Sequence, residues 1–435
     1  ETGASPQYVY APSMYTRLHA RPPVDRMLSM ARLVQKYGGT SVGDINRIKA
    51  VAQRIKAAVD DGYQVAVVVS AMAGVTDRLA GWVSEAAALH DAREYDAVVA
   101  TGEQVTSGLL ALALQDIGIQ ARSWHGWQLP LHTDGEHGSA RILSLDTEQI
   151  ESRLEAGQVA VIAGFQGLSP EGRITTLGRG GSDTSAVALA AALGAERCDI
   201  CTDVDGVYTA DPRIVSAAHR LDKITYEEML EMASQGAKVL QTRAVALAMR
   251  HRVRLQVLSS FTDTPGTLVV DEDEIVEEQM VCGIAYSRDE AKITLVGVQD
   301  KPGVAAAIFG PLADANVNVD MIVQNVSADG SRTDLTFTVA TADLARTVAL
   351  LEDAGRGFEY KSLSADGNVV KVSVIGVGMR SHAGVATLMF QTLADKGINI
   401  QVISTSEIKI SILIAEDYLE LALRALHSAY GLDAE

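Results

Sequence analysis

The sequence is poor in cysteine, with three among 435 residues. Such a small, odd number supports no disulfide framework and suits a reducing compartment. Cys198 and Cys201 form a C-x-x-C pair, but no second Cys/His pair at zinc spacing follows, and the segment is typical of a buried strand. We therefore assign no metal ligands and no redox role to the cysteines.

Positive charge is also in deficit, because 37 Lys and Arg residues face 55 Asp and Glu residues, a formal net charge of -18. Nucleic-acid binding depends on clustered Lys and Arg, so no nucleic-acid partner is expected. Long apolar runs are missing too: none reaches the roughly 18 residues that span a bilayer, and residues 1–30 lack a hydrophobic signal core. We expect no membrane partner and a cytoplasmic location.

The length and the 47% hydrophobic content predict several globular domains. Residues 1–30 carry four prolines and are expected to form an extension without regular structure. The acidic run Asp271–Glu274 marks a boundary. We predict a first domain at residues 31–270, a second at 280–360 and a third at 365–432.

The first domain alternates apolar strands with helical patterns over about 240 residues, as is typical of α/β proteins. Apolar runs bounded by turn residues predict buried parallel strands at Leu33–Tyr37, Val65–Ser70, Val159–Phe165 and Asp199–Asp203. The predicted fold is therefore α/β, with a mainly parallel sheet and helices on both faces.

The last third of the chain contains a repeat. Gly303-Val304, followed by Leu312-Ala313-Asp314, recurs as Gly384-Val385, followed by Leu393-Ala394-Asp395. Each copy opens with a strand, turns through a glycine and enters a helix, so two copies of one α+β module are predicted. Neither copy has a cluster of acid, base and nucleophile, which favours binding or pairing over catalysis.

A glycine-rich turn, Gly178–Asp183, is the strongest candidate for a functional site. Its glycines allow backbone N–H groups to approach an anion, and the helix former that follows places a helix N-terminus there. Arg179 could hold a carboxylate and Asp183 an ammonium group, a pair that suits a small amino acid. A turn built only for packing is the alternative, but it has no use for these charged residues. The segment matches neither common nucleotide-binding glycine motif.

Further candidates follow the other strands. Lys36, ahead of Gly38 and Gly39, could hold a phosphate, or it could be a solvated surface lysine. Loops at the carboxyl ends of parallel strands bind ligands in α/β proteins, which makes Ser70 and Thr76 pocket candidates. Glu103 is either a first-turn helix acid or a partner for an ammonium group. The loop Val204–Arg213 could pack a base, bond a ribose and reach phosphate.

Five ordered segments resemble the motifs of the aspartokinases of the amino acid kinase family: Lys36–Ser41, Val69–Met72, Thr101–Glu103, Gly178–Asp183 and Tyr208–Arg213. The two C-terminal copies resemble ACT domains, βαββαβ modules that bind amino-acid effectors. Gly74 departs from the pattern, because it stands where some members have lysine.

The resemblance implies transfer of the ATP γ-phosphate to the β-carboxylate of L-aspartate, with ATP and Mg²⁺ as cofactors. The product would be 4-phospho-L-aspartate, in the first step of lysine, threonine and methionine biosynthesis. It implies Lys36, Arg179 and Asp183 as catalytic residues. The implied nucleotide residues are Lys36, Tyr37, Gly38, Gly39, Thr202, Asp203, Tyr208, Thr209, Ala210, Asp211, Pro212 and Arg213; the implied L-aspartate residues are Ser70, Thr76, Glu103, Arg179, Ser182 and Asp183.

The ACT resemblance implies a homo-oligomer inhibited by lysine, threonine or both. The expected effector residues lie on a loop and helix start of the first copy and on strands that follow: Asp300, Lys301, Pro302, Gly303, Val304, Ala305, Gln324, Asn399 and Ile400.

Two alternatives stay open. Another amino acid kinase, acting on glutamate, acetylglutamate or a nucleoside monophosphate, would share the fold but would not be expected to have both the Arg179 and Asp183 pair and the tandem tail. An amino-acid-sensing regulator with an inactive kinase domain would be favoured by loss of Lys36 or Asp183, and both are present.

Overall fold

A computed structural model describes residues 30–433, except 237–238, 276–279, 328–329, 355–357 and 383. The predicted N-terminal extension lies outside the described residues apart from Met30. The strands are β1 Arg32–Tyr37, β2 Gln64–Val69, β3 Ala121–Trp124, β4 Leu131–Thr133, β5 Ile142–Leu145, β6 Val159–Ala163, β7 Gln166–Leu168, β8 Ile174–Thr176, β9 Arg197–Thr202, β10 Lys223–Thr225, β11 Leu255–Ser259, β12 Thr267–Val270, β13 Gly283–Ser287, β14 Ala291–Gln299, β15 Val319–Val326, β16 Arg332–Val339, β17 Ser362–Asp366, β18 Val369–Ile375, β19 Val402–Thr405 and β20 Lys409–Ala415.

The α-helices of the same residues are α1 Ile45–Asp60, α2 Val75–Ala86, α3 Ala92–Val99, α4 Thr101–Asp116, α5 Glu148–Glu155, α6 Gly181–Leu193, α7 Tyr226–Ser234, α8 Thr242–His251, α9 Val304–Asp314, α10 Leu344–Ala354, α11 Val385–Asp395 and α12 Leu419–Ala429. The chain divides into two compact units. The first runs to Asp205 and includes Arg243–Pro265; the second comprises Gly206–Thr242 and the chain from Gly266 onward. This division differs from the predicted boundary at residue 270.

The first unit is built on parallel strands in the order β11-β9-β1-β2-β6-β3. Strands β1 and β2 are buried almost throughout, as their apolar sequences predict. Helix α1 begins at the Asp44 N-cap, whose carboxylate accepts the Arg47 N–H, and packs Ile48 and Ile55 into the core. The predicted mainly parallel α/β fold is confirmed.

Helix α4 carries part of the site and explains one apolar stretch. By length and composition alone, Ala92–Asp116, which covers α3 and α4, could cross a membrane, and 56% of its most apolar window is buried inside the protein. Leu110 and Leu114 lie in the core formed with α1 and β2. Packing inside the first unit therefore accounts for the apolar composition of α4.

A smaller sheet, in the order β5-β4-β7-β8, lies in the same unit. The pairing of β7 with β8 is antiparallel and joins Gln166 to Thr176. Strand β8 ends at Thr176 and leads directly into the glycine turn that opens α6. This sheet therefore supports the glycine turn at its N-terminal side.

The second unit contains two four-stranded antiparallel sheets, each with two helices. The first has the order β15-β16-β14-β17, and Ile293, Ile308 and Phe337 lie in its core together with residues of α9 and α10. The second has the order β13-β18-β20-β19, and its core includes Met389 of α11 and Leu423 of α12. These are the two predicted α+β modules.

The two modules are nested, which the sequence repeat does not predict. Strand β13 precedes the first module, yet it pairs antiparallel with β18 of the second, joining Gly283 to Ile375. The first module is closed by β17, which pairs with β14. The predicted range 280–360 thus includes a strand of the second sheet and omits the last strand of the first. The repeat defines the strand that opens each copy, but not which strand completes each sheet.

A buried lysine lies where the two modules meet in the second unit. Lys371 on β18 is 4% exposed, and its ammonium lies 2.6 Å from Glu290 Oε1 and 2.7 Å from Asp320 Oδ2. Burial lowers the pKa of Lys371, but the two carboxylates more than offset this effect, and its pKa is raised. Asp320 begins the part of β15 that pairs irregularly with β16. The ion-pair cluster therefore ties the edge strand of the first module to the second.

Candidate functional site

The centre of the candidate site is an ion pair that joins the end of a strand to the start of a helix in the first unit. Lys36, near the end of β1, places its Nζ 2.5 Å from Asp183 Oδ1 in the first turn of α6. Both residues are buried, at 9% and 7% exposure. The carboxylate and the ammonium therefore neutralise one another in a charge-assisted contact. Lys36 is thus not a solvated surface lysine.

Glycines allow three backbone segments to converge beside Lys36. A Cβ on Gly39 would lie 2.9 Å from the Ala71 carbonyl oxygen, and one on Gly102 would lie 2.7 Å from the Ala71 Cβ. Gly38 donates its N–H to the Cys201 carbonyl at 3.2 Å. The loops after β1 and β2 and the start of α4 can therefore approach one another only because no side chain stands between them.

The turn before α6 depends on glycine in the same way. Gly178 and Gly180 have φ of 75° and 69°, in the left-handed region, and Gly180 is the N-cap of α6. A Cβ on Gly181 would lie 2.8 Å from the Phe165 ring. Phe165 itself has φ of 68°, and its N–H donates to Ser185 Oγ at 3.2 Å. A non-glycine residue in this conformation indicates a backbone held by its surroundings.

Arg179 and Ser182 occupy different environments within this turn. The Arg179 side chain is exposed, and no ion pair is recorded for it among the described residues. Ser182 is 7% exposed and lies against Gly164, where a Cβ would be 2.9 Å from the Ser182 Oγ. Arg179 is thus placed to meet a ligand from solvent, while Ser182 lines the closed side of the turn.

Glu103 lies in the first turn of α4 and is 3% exposed. Its Oε1 accepts the Ala71 N–H at 3.1 Å, while Oε2 is buried without a hydrogen-bond partner. Burial raises the pKa of Glu103 to about 7. A buried carboxylate oxygen without a partner fits a cationic ligand better than a helix-stabilising role alone.

The remaining predicted residues of the first unit are not all equally accessible. Ser70 and Thr76 are partly buried, after β2 and at the start of α2. Thr202 Oγ1 donates to the exposed Asp203 carboxylate at 3.1 Å, at the end of β9. Tyr37 is wholly buried, and its hydroxyl donates to Gln35 Oε1. Its side chain therefore belongs to the core, and only its backbone could meet a nucleotide.

The second-unit loop Tyr208–Arg213 also divides into buried and exposed parts. Thr209 and Ala210 are 0% and 3% exposed, so they too could contact a nucleotide only through the backbone. Asp211 and Arg213 form an ion pair at 2.7 Å, and the Arg213 side chain is 84% exposed. The hydrogen bond and charge of Arg213 hold the pKa of Asp211 below its usual value. Pro212 is exposed.

Sequence reasoning missed Asp96, a wholly buried carboxylate on α3. It accepts hydrogen bonds from the Thr176 hydroxyl at 2.6 Å and the Thr176 N–H at 3.1 Å. It also meets His137 Nδ1 at 2.7 Å and accepts the Gly138 N–H. Asp96 therefore fixes Thr176, two residues before the glycine turn. No sequence pattern could reveal it, because its partners are distant along the chain.

Arg243 supports the turn from another side. Its guanidinium donates to the carbonyl oxygens of Leu177 at 2.9 Å and Ala140 at 2.7 Å. Arg243 thus ties Leu177, the residue before Gly178, to Ala140, which lies two residues after Gly138. An isolated arginine in a helix gave no signal of this role.

The predicted effector residues lie in the two modules of the second unit. Gly303 has φ of 93° and is the N-cap of α9, so its neighbours present N–H groups at a helix start. Gln324 is exposed on β15, which ends the order of the first sheet. Asn399 and Ile400 precede β19, which ends the second. The other predicted positions divide into exposed Asp300, Lys301, Pro302 and Ala305 and buried Val304.

The first-unit site can neutralise negative charge and hold a zwitterion. Lys36 and the glycine-lined loops offer an ammonium and N–H groups to an anion, while Arg179 can meet a carboxylate. Glu103 and Asp183 offer negative charge to an ammonium group. Transfer of a charged group between two anions needs this combination.

Known protein families and relatives match this chain over most of its length. The amino acid kinase family model matches residues 31–259, and two ACT-domain models match residues 292–356 and 372–430. An aspartate kinase of Stutzerimonas stutzeri is 55% identical over 406 residues, which cover 93% of this chain and 98% of that protein.

Two solved structures share the fold over most of the chain. Aspartokinase III of E. coli in complex with aspartate and ADP is 29% identical with a TM-score of 0.75, covering 91% of this chain and 99% of that one. The same enzyme in complex with lysine and aspartate is 29% identical with a TM-score of 0.73, covering 91% and 98%.

Proposed function

Because the chain belongs to the amino acid kinase family and is an ATP-dependent aspartate kinase with two ACT domains, we propose that it phosphorylates the β-carboxylate of L-aspartate. The products are 4-phospho-L-aspartate and ADP. The observation that carries this proposal is the buried Lys36–Asp183 pair beside the glycine turn. The product places the reaction at the start of lysine, threonine and methionine biosynthesis.

The chemistry requires charge control more than proton transfer. The acceptor carboxylate is ionised at pH 7, so no general base is needed. The repulsion between that carboxylate and the ATP phosphates is the main obstacle. Lys36, with the backbone N–H of Gly39, would neutralise the transferring phosphoryl group and align it for in-line attack, while Gly38, whose N–H is donated to the Cys201 carbonyl, holds the loop in place.

The aspartate substrate would be held by groups of opposite charge. Arg179 would bind a substrate carboxylate in a bidentate hydrogen bond, while Glu103 and Asp183 would attract the ammonium group. Ser70, Thr76 and Ser182 would contribute hydroxyl groups. This arrangement distinguishes an amino acid from a simple dicarboxylate, because Glu103 Oε2 is left without a partner unless a cation binds.

Nucleotide contacts are proposed for the remaining residues of the aspartokinase motifs. Thr202, Asp203 and the loop Tyr208–Arg213 would hold ATP, with the buried members of that loop acting through their backbone. Mg²⁺ would enter the site together with the ATP phosphates. Among the described residues no three His, Cys, Asp or Glu side chains form a dedicated cage, so phosphate oxygens and water would complete the ion's coordination. When bound, the ion supplies positive charge at the phosphates.

A hydroxamate assay tests the activity. Purified protein is incubated with ATP, Mg²⁺, hydroxylamine and one amino acid at a time. We expect hydroxamate from L-aspartate and little from glutamate. If hydroxylamine traps no aspartyl hydroxamate, or traps more product with glutamate, the acceptor is wrong and another amino acid kinase activity is favoured.

The ACT modules would make the enzyme responsive to end products. We propose that lysine, threonine or both bind at the loop Asp300–Ala305 together with Gln324, and that Asn399 and Ile400 contribute from the second module. Coupling of this kind is reciprocal, so aspartate should weaken effector binding by the factor with which the effector weakens aspartate binding.

A point variant tests the effector site better than truncation. Ala210 and Val215 pack in one core with residues of the second module, so deletion from Met280 onward would expose apolar surface around the nucleotide loop. Gln324→Ala should instead relieve inhibition with a fully folded chain. Gln391→Ala, an exposed glutamine on α11, is the matched control. Equal inhibition of the Gln324→Ala enzyme and its parent would refute this effector site.

The oligomeric state and location follow the same reasoning. We propose a cytoplasmic homo-oligomer, since ACT modules commonly bind effectors where two modules pair. Sedimentation analysis with and without lysine and threonine tests the assembly, and a single monomeric species under all conditions would refute it.

A further inference from the structure

A buried hydrogen-bonded chain links the C-terminal helix to the proposed nucleotide loop. His427, near the end of α12, is 0% exposed and lies within the second module. Its Nε2 is 2.9 Å from Thr209 Oγ1, and its Nδ1 is 2.6 Å from Asp433 Oδ1. Neither His427 nor Asp433 belongs to any motif that the aspartokinase resemblance identifies.

The proton arrangement follows from the partners. The Asp433 carboxylate is an acceptor, so His427 Nδ1 carries the hydrogen between them, and in the neutral ring Nε2 keeps its lone pair. The Thr209 hydroxyl then donates to Nε2, while its oxygen accepts the His219 N–H at 3.2 Å. Each polar atom of the chain has a partner of the opposite kind. Asp433 therefore orients the ring, and the ring orients the threonine.

Thr209 is the anchor of its loop. Its N–H donates to the His219 carbonyl at 3.0 Å, and its carbonyl accepts the Ile284 N–H at 2.7 Å. These bonds fix the backbone between Tyr208 and Asp211, which flank it. The Arg213 guanidinium remains exposed, four residues beyond the anchor. A shift at Thr209 would thus move the residues proposed to meet the nucleotide.

We propose that His427, oriented by Asp433, is a positioning residue that sets the nucleotide-binding geometry of the loop Tyr208–Arg213. The affinity for ATP and ADP then depends on the last helix of the second ACT module. This inference rests on the proposed nucleotide role of the loop. The imidazole bonds the Thr209 hydroxyl on one side and Asp433 on the other, a pair of contacts that an apolar side chain of similar size could not make.

Calorimetry with ADP and Mg²⁺ tests the inference on the full chain. Thr209→Val keeps the side-chain shape and removes the hydroxyl, and Asp433→Asn removes the charge that orients the ring. Each should raise the Kd for ADP about threefold to tenfold, the effect of one lost hydrogen bond in binding. The KM for aspartate should change much less. Arg424→Gln, on the exposed face of α12, is the control and should bind ADP like the parent.

Rescue and non-additivity separate positioning from loss of folding. Thr209→Ser, which restores the hydroxyl, should return the Kd towards that of the parent. The double variant Thr209→Val with Asp433→Asn should bind no more weakly than the weaker single variant, because both changes break one chain of bonds. Asp433 is 42% exposed, so Asp433→Asn opens no cavity, and circular dichroism verifies that it is folded.

The outcomes also distinguish this inference from the proposed activity. If the parent binds ADP but forms no aspartyl hydroxamate, the acceptor is wrong and the comparison of Kd values still decides the role of His427. If Thr209→Val and Asp433→Asn both bind ADP as tightly as the parent, the inference is overturned. A parent that binds no ADP would overturn the inference together with the nucleotide role of the loop.

Discussion

Two buried lysines, one in each compact unit, differ in the number of carboxylates that surround them. Lys36 in the first unit is in contact with one carboxylate, Asp183. Lys371 in the second unit is in contact with two, Glu290 and Asp320. Both lie on strands and both are nearly inaccessible to water, at 9% and 4% exposure.

The difference lies in what remains available to a ligand. Lys371 is outnumbered by its partners, so an anion near it would meet net negative charge. Lys36 has one carboxylate partner, Asp183, and stands beside the glycine-lined loops of the candidate site, where backbone segments approach it closely. Burial and ion pairing alone therefore do not distinguish the two lysines; the number of carboxylate partners and the neighbouring glycine loops are the reasons why we propose a catalytic role for Lys36 and not for Lys371.

The largest effect is expected at Lys371. Lys371→Met preserves length but leaves the buried Glu290 without its counter-charge, which should lower the free energy of unfolding by about 3–5 kcal/mol. Denaturant unfolding measures this change. Lys396→Met, at an exposed lysine of the same unit, should change the unfolding free energy by only about 0.5 kcal/mol. A loss below about 1 kcal/mol at Lys371 would show that its pairs contribute little.

Substitution of Lys36 should lower catalytic activity more than stability. Lys36→Ala is expected to lower kcat about 10²-fold or more, because a charge that follows the transferring phosphoryl group matters most in the transition state. The unfolding transition should change less than in Lys371→Met. Lys49→Ala, an exposed lysine on α1, is the control in steady-state kinetics. An unchanged kcat would place Lys36 with Lys371 as a structural lysine.

Arg179 extends the comparison to an exposed cation. Arg179→Ala should raise the KM for aspartate about tenfold, because it removes a carboxylate partner from the bound substrate. Arg153→Ala, on the exposed face of α5, should leave the KM unchanged. If only the KM for ATP rises, Arg179 belongs to the nucleotide site.

The smallest expected effect is the pH dependence that Glu103 gives to kcat/KM for aspartate. Its pKa is raised to about 7 by burial, so the free enzyme gains a proton there as the pH falls below 7. Aspartate's ammonium favours the ionised form, so kcat/KM for aspartate should fall below pH 7, by at most about tenfold per pH unit. Glu103→Gln should have low affinity and lose this pH dependence. A wild-type profile that is flat between about pH 6 and 8 would contradict the role of Glu103.

Much of the first unit could be predicted because its signals are contiguous. A buried strand, a glycine turn and a helix follow one another in the sequence around Lys36 and again around Asp183, and each turn ends at a sheet edge where ligands bind. Glu103 was predicted with its structural alternative, and its unpaired Oε2 became apparent only from the packing.

The features that the sequence did not reveal depend on long-range contacts. Asp96 and Arg243 support the glycine turn through partners far along the chain. Thr209 lies in a recognisable motif, yet its side chain is buried because a histidine from the last helix bonds to it. Strand β13 pairs with β18, and no periodicity could show this, because either β14 or β18 could accept an added antiparallel edge.

The nesting of the modules imposes an order on folding during synthesis. The first module uses the continuous stretch from β14 to β17, so it can form as soon as that stretch leaves the ribosome. Strand β13 is made earlier but has no sheet to join until β18 appears, so its edge stays unpaired while the whole first module folds. Such an edge can pair with another nascent chain. The slowest and most aggregation-prone step of folding should therefore be the capture of β13, and early folding of the inserted module would bring its two ends together and shorten that wait.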